Sequence, residues 1–432
     1  MFKSKKKSTL IILLVIMASL ISTIFLASTQ LRTLAKNSIP DGLKNSIKVL
    51  IFGENYLKEI STLRNLNYNV KTLPKTQFIN LDLKKIKIPG IEEDTISHYN
   101  KINKNGYMFK YKKFYINLFK EKIYITTSLG KFLLLADNFT EFNIINSNID
   151  DYQITNILDS QTIQDDIFIS IIRADDNNNN CNYLEILKAK INDIFYNFKS
   201  ITKSNSCYPD IVGAMGGRIV EYINNDKNGI LLTTGATEDS AILAQDNNSI
   251  AGKILYLEKG SKKLQIFSKG HRNPQGLIVT NGKIISTEHG PYGGDEINFI
   301  KEGKNYGWPL ISFGDDYAIR KNVNLNFKYL KKSSPNYEDP IFSYVPSTGI
   351  SELIELPNSF AKKWQDNFLI SSLNGRSLYR VEFNNEFNKI FYSEKIYIGE
   401  RIRDMKYYKK KSLILMALEE TGSLGILSNI ND

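Results

Sequence analysis

Two cysteines and three histidines in 432 residues leave little material for metal or thiol chemistry. A structural zinc site wants four ligands at set spacings, and Cys181 and Cys207 find no histidine at such a spacing. In an oxidising compartment the two allow one disulfide, with two free thiols as the alternative. A dense basic stripe interleaved with aromatics is also missing. The formal charge is +11, but Lys3, Lys5, Lys6 and Lys7 crowd one end and the remaining excess is spread thinly. Nucleic-acid binding is therefore excluded in favour of a solvated surface near anionic lipid. From about residue 106 onward no long helical period interrupts the chain.

What is abundant is strand-forming material. Hydrophobic residues make up 42% of the chain, with 24 Tyr and 23 Phe, so the chain is globular and suited to sheets. The N-terminal lysines precede an uncharged run from Ser8 to Leu31, apolar at its heart over Leu10–Ala27. A bilayer span needs roughly 20 residues, and preceding lysines hold that end in the cytoplasm. Residues 1–36 are expected to be a single-pass inner-membrane anchor that places the rest in the periplasm. A cleaved signal peptide is the alternative, disfavoured by the length of the apolar run. Residues 37–105, rich in Asn and Lys, read as a stalk or accessory region, with "IKVLIF" as a strand and "LKEISTLRNL" as a short helix.

From residue 106 to 432, short Ile/Tyr/Phe/Val runs alternate with Gly, Asn and Asp turns. Grouped in fours they form six units, 106–150, 151–210, 211–269, 270–345, 346–398 and 399–430, of the length expected for propeller blades. The expected fold is all-β, a six-bladed β-propeller, with a sandwich as the rival that the repeated units disfavour. The last unit is short and needs a strand from the other terminus. "YMFKY", at 107–111, is the expected donor.

Three polar segments stand beside these strands: "GHRNPQGL" at 270–277, "TEHGPYGGDEIN" at 287–298 with "NYGWP" after it, and "ERIRDM" at 400–405. Arg272, Asn273 and Gln275 offer a guanidinium fork and two amides, suited to a planar ligand bearing carboxylates or carbonyls. Arg401 and Arg403 alternate along a strand and share a face, so an anion is expected between them. Surface pairing with an acid such as Asp404 is the plainer reading. The glycine-rich turn before Asp295 and Glu296 supplies hard oxygens of the kind Ca²⁺ takes, or is simply a tight turn. His271 and His289 read as hydrogen-bonded structural residues.

In this order and spacing the segments resemble the signature of the pyrroloquinoline quinone (PQQ)-dependent glucose/sorbosone (aldose sugar) dehydrogenases, as do "GGRIV" at 216–220, "LLTTGA" and "GKILYLE". The resemblance covers about 106–430 and is strongest over 214–310. It implies a six-bladed propeller with the quinone on its axis, contacted by Arg272, Asn273, Gln275, Arg401 and Arg403, with Asp295 at the pocket. It further implies a quinone-bound Ca²⁺ on the carbonyls of Gly290 and Pro291, and a second calcium site at Glu296, Tyr306 and Asp316 or its neighbour Asp315. Two departures stand out. Ala214 occupies the place of the family's general-base His, and Asn374 the place of a quinone-contacting Lys, with Arg376 two residues on. A general base contributes roughly 10²–10⁴-fold. The expected function is a membrane-anchored periplasmic oxidoreductase acting on a sugar or sugar-like alcohol. The alternative is a non-catalytic propeller of the same family that binds a glycan or protein in the envelope.

Overall fold

The structure is a computed structural model that describes residues 79–91, 111–174, 182–204, 215–291, 293–314 and 335–430. The membrane-anchor segment, both cysteines, Ala214, Asp315 and Asp316 lie outside the described residues, as do the strand and helix expected at 37–78. No helix among the described residues is long and apolar enough to cross a membrane.

Six sheets follow one another along the chain, antiparallel throughout except that Phe195–Tyr196, from the blade 2 segment, pairs parallel with Asn146 and Ser147 at the outer edge of blade 1. Blade 1 has its innermost strand at Phe114–Phe119 and its outer one at Phe142–Ser147. The innermost strands of blades 2 to 6 are Ile154–Ile163, Gly216–Ile223, Pro274–Thr280, Ile350–Glu355 and Ile402–Tyr408. Each is followed by strands stepping outward, as the six sequence units anticipated. Stacking of neighbouring blades buries both faces of the middle strands, so Asn367–Ser372 of blade 5 is buried throughout. The apolar clusters accordingly straddle seams: Ile285, Ile297 and Phe342 of blade 4 meet Leu353, Phe368 and Val381 of blade 5. Full burial of such side chains contributes about 1.5–3 kcal/mol each.

The ring closes differently from expectation. The outermost strand of blade 6 is Leu81–Lys87, paired antiparallel with Ser423–Asn429, and not the segment at 107–111. Part of the supposed stalk is therefore a structural strand of the propeller. Two residues explain the choice. Lys85 forms an ion pair with Glu400, and Ile88, just past the strand, is buried with Phe114 and Leu424 at the seam between blades 6 and 1.

One irregularity recurs and builds the centre. The innermost strands of blades 2 to 6 each shift register near their start: at Ile157/Asp159, Gly216/Ile219, Pro274/Gly276, Ile350/Leu353 and Ile402/Met405. A β-bulge re-aims the side chains it carries. Asp159, Arg218, Gln275, Glu352, Arg403 and Asp404 all lie at or beside these bulges and meet one another in hydrogen bonds or ion pairs. In blade 3 the bulge needs glycine. Gly216 and Gly217 have φ of +63° and +106°, and a Cβ on Gly217 would lie 2.3 Å from Leu158 Cβ.

Candidate active site at the cationic mouth of the propeller

Arg218, carried by the glycine bulge, is the hub beneath the site. Its NH1 reaches Asp159 at 2.9 Å, Glu352 at 2.9 Å and Asp404 at 3.0 Å. Its Nε donates to the Gln275 carbonyl and its NH2 to the Arg403 carbonyl, and Asp404 accepts from Ile116 N at 2.7 Å. One guanidinium and one carboxylate thus connect all six blades. Three buried carboxylates face Arg218 and the more distant Lys406, so they do not all ionise freely. Burial raises Glu352 to about 7, against the pull of Arg218. Asp404 is held low despite burial, by Lys406 and Arg218.

Above the hub a string of hydrogen bonds runs across three blades. Gly216 N donates to Asn273 Oδ1, which also accepts from Gln275 Nε2 at 2.8 Å. Gln275 Oε1 accepts from Arg403 NH1 at 2.6 Å. Arg403 Nε donates to one oxygen of Glu419 at 2.8 Å and Arg401 Nε to the other at 2.6 Å. The two arginines share a face, as their alternation implied. The anion between them is a residue of the chain, Glu419, which sequence reasoning missed. Asp404, the acid expected as a surface partner, is turned into the Arg218 hub. Glu419 lies on the turn after a strand, and no local pattern marks it. Although burial opposes it, Arg403, Arg401 and Lys113 hold Glu419 down at about 2.

Arg272 enters from the same side, with NH1 on the carbonyls of Gly290 at 2.9 Å and His289 at 3.2 Å, and its guanidinium 5.3 Å from the Trp308 ring centre. Its backbone is pinned from below. Arg272 N donates to Glu288, whose other oxygen lies 2.9 Å from His271 Nδ1, and His271 Nε2 lies 2.8 Å from Ser268 Oγ. The Ser268–His271–Glu288 string resembles a hydrolytic triad only in its contacts, because all three side chains are enclosed. It is a rigid post under the Arg272–Gln275 turn, in keeping with the structural reading of His271. His289 differs. Burial lowers it to about 4 with help from Arg403, Arg272 and Arg401 and against Asp295, so its imidazole is neutral, and its Nε2 is buried without a hydrogen-bond partner among the described residues.

Other predicted residues take different places. Asp295 has both oxygens engaged by Gly290 N, Ser347 Oγ, Thr348 N, Gly349 N and Ile350 N. It fastens the entry to blade 5 and positions the Gly290 turn instead of facing a ligand. The Tyr306 hydroxyl donates to the Phe299 carbonyl at 2.6 Å and accepts from Lys301 N at 2.9 Å, so it is not an open metal ligand. Glu296 takes a hydrogen bond from Asn298 Nδ2 and is raised well above its usual value by burial and by Glu288. Glu296 and Tyr306 are thus each engaged by hydrogen bonds within the fold, and Asp315 and Asp316, the remaining candidates for the expected second calcium site, lie outside the described residues. Among the described residues no group of three or more His, Cys, Asp or Glu is placed to hold a metal. Asn374 is exposed, and Arg376 pairs with Glu420 at the surface, 2.7 Å away, so it does not replace a cation in the funnel.

The donor set fits a planar polyanion. Arg401, Arg403 and Lys113 surround a single carboxylate, Glu419, while Arg272 joins the two arginines around His289, beside the amides of Asn273 and Gln275. Calcium fits less fully. Gly290 and Pro291 offer two carbonyls where Ca²⁺ takes six to eight oxygens, so most of its shell would have to come from a bound anion and water.

The chain is thus a six-bladed propeller whose axial mouth is lined by Arg272, Arg401 and Arg403. The chain belongs to the Glucose / Sorbosone dehydrogenase family, whose model matches residues 161–426. It is 27% identical over 226 residues to the aldose sugar dehydrogenase YliI of Escherichia coli, covering 48% of this chain and 58% of that protein. It is 31% identical over 160 residues to quinoprotein glucose dehydrogenase B of Acinetobacter calcoaceticus, covering 36% of this chain and 29% of the relative. The matches thus span less than two thirds of either curated relative. Among solved structures, the apo soluble aldose sugar dehydrogenase of E. coli aligns with a TM-score of 0.61 at 21% identity, over 73% of this chain and 96% of its own. The PQQ-bound aldose sugar dehydrogenase of Streptomyces coelicolor aligns at 0.57 and 16%, over 81% and 99%. At such identities these two likenesses establish the fold.

Proposed function

We propose that the chain is a PQQ-dependent dehydrogenase of an aldose or sugar-like alcohol. The observation that carries this reading is the funnel's surplus of positive charge, organised by one hydrogen-bond string from Gly216 to Arg401. Arg272, Arg401 and Arg403 would hold the quinone's carboxylates and oxygens, and Asn273 and Gln275 its polar edge. Bound there, the quinone supplies a two-electron acceptor. The chain's own work is preorganisation. The Arg218 hub fixes the relative placement of the blades, and the Ser268–His271–Glu288 post fixes the Arg272 turn, so the cations need not reorganise when the ligand arrives. Calcium on Gly290 and Pro291, an inner-membrane anchor over 1–36 and a periplasmic propeller belong to the same proposal. The lysine cluster with its apolar run supports the anchor.

Ala214 favours a second reading, in which the propeller binds a glycan or protein without turnover. Reconstitution separates the two. Full-length protein is loaded with pyrroloquinoline quinone and Ca²⁺, and dye reduction is followed across an aldose panel. Turnover supports the dehydrogenase, whereas bound quinone without turnover supports the binding protein. Absence of quinone binding would remove the cofactor reading altogether.

A further inference from the structure

Lys113 stands apart from every other cation of the funnel. Arg401 and Arg403 are engaged by Glu419, and Arg272 by the carbonyls of the 289–290 turn. Lys113 makes no side-chain hydrogen bond or ion pair among the described residues, yet it is only half-exposed. Its backbone is held firmly. Ser128 N donates to the Lys113 carbonyl at 3.0 Å, continuing the Phe114↔Thr127 register of blade 1, and the neighbouring Lys112 N donates to the Glu419 carbonyl at 2.8 Å. Side chains two apart on a strand share a side. Two residues on is Tyr115, whose ring lies 5.6 Å from the Arg218 guanidinium at the axis. Lys113 is therefore carried to the mouth of the funnel, within the field of Arg401, Arg403 and Glu419 of blade 6, with Tyr115 and Tyr111 on its own segment.

Resting on the quinone reading, we propose that Lys113 is an anion-binding residue of the funnel, its ammonium reserved for an oxygen of the bound cofactor. An unpaired half-buried ammonium beside two guanidinium groups is unfavourable until an anion arrives. Burial and Arg403 lower Lys113 to about 8, with Glu419 opposing and Arg401 adding to the fall. A bound anion raises it again. Above that pH, ligand binding takes up a proton, and affinity falls by up to about tenfold per pH unit.

The test is a titration of full-length protein in detergent with pyrroloquinoline quinone, read by tryptophan quenching between pH 6.5 and 9.5, with no substrate. The wild type is expected to lose affinity above about pH 8. Lys113→Arg should bind with a flat profile, because its charge does not titrate. Lys113→Met should bind about tenfold more weakly at pH 7, the loss of one charge-assisted contact, and also lack the fall. Groups common to all three proteins, including the quinone's own ionisations, cancel in the comparison. Retention of affinity in Lys113→Arg shows that the fold survives substitution. If the wild type binds and Lys113→Met matches it in affinity and pH profile, Lys113 has no such role. If the wild type itself does not bind, the quinone reading falls and takes this inference with it.

Discussion

Arg218 and Asp404, 186 positions apart, meet at 3.0 Å on the axis, and between them they contact every blade. The pairing makes Arg218 the residue on which the ring's closure is most dependent. Its removal would leave the buried Asp159, Glu352 and Asp404 crowded together with only the more distant Lys406 to offset them. Breaking a buried pair in this way costs about 3–5 kcal/mol. Arg218→Met is therefore expected to lower Tm by about 10 °C. Arg218→Lys should recover only part, since a single ammonium cannot serve five acceptors in a fork. Thermal unfolding followed by circular dichroism decides the matter, and an unchanged melt in Arg218→Met would refute the hub.

Two glutamates give opposite pH signatures. Glu419 is held at about 2, below its usual 4.5, so its stabilisation is full above about pH 4.5 and is lost as pH falls towards 2. Glu352 is raised to about 7, so its effect runs the other way. The folded state binds the proton more tightly than the unfolded chain, and stability declines as pH rises from about 4.5 to 7, then levels off. Glu419→Gln should flatten the acid limb of a Tm–pH profile, and Glu352→Gln, a mimic of the protonated form, the limb between 4.5 and 7. Parallel profiles for wild type and Glu352→Gln would show that Glu352 is ionised in the folded protein.

Closure by Leu81–Lys87 sets the minimal folding unit. A chain beginning at residue 106 would leave Ser423–Asn429 as an unpaired edge and uncover the Ile88 seam, whereas one beginning at residue 78 keeps both. The shorter fragment is expected to aggregate or to melt well below the longer one. Light scattering and thermal melts of the two fragments test this, and equal behaviour would mean that blade 6 does not need its outer strand.

Much of this architecture was legible because period-2 runs and turn residues are local signals. The six units from 106 onward supply the innermost three strands of each of six sheets, and the Arg401/Arg403 alternation placed both side chains on one face. Three features were not legible, each for lack of a local signal. The strand at Leu81–Lys87 is lysine-rich and only partly buried, and only its partner across the ring identifies it. Glu419 shares no spacing with the arginines that it joins. Asp295 and Tyr306 matched a ligand-binding pattern, but their hydrogen bonds fasten loops, a distinction that residue type does not carry.

Position 214 bears most directly on turnover. Ala214 itself lies outside the described residues, but Gly216, two residues on, opens the hydrogen-bond string through Asn273 and Gln275 to Arg403. Methyl cannot accept a proton, whereas an imidazole near neutral pKa is suited to do so. Ala214→His is therefore expected to raise the turnover of quinone-loaded protein by about 10²–10⁴-fold. Quinone affinity should stay unchanged, because none of the arginines is altered. The measurement is single-turnover sugar oxidation alongside quinone titration of both proteins. A variant that binds quinone like the wild type but gains no rate would show that proton removal is not what limits this propeller.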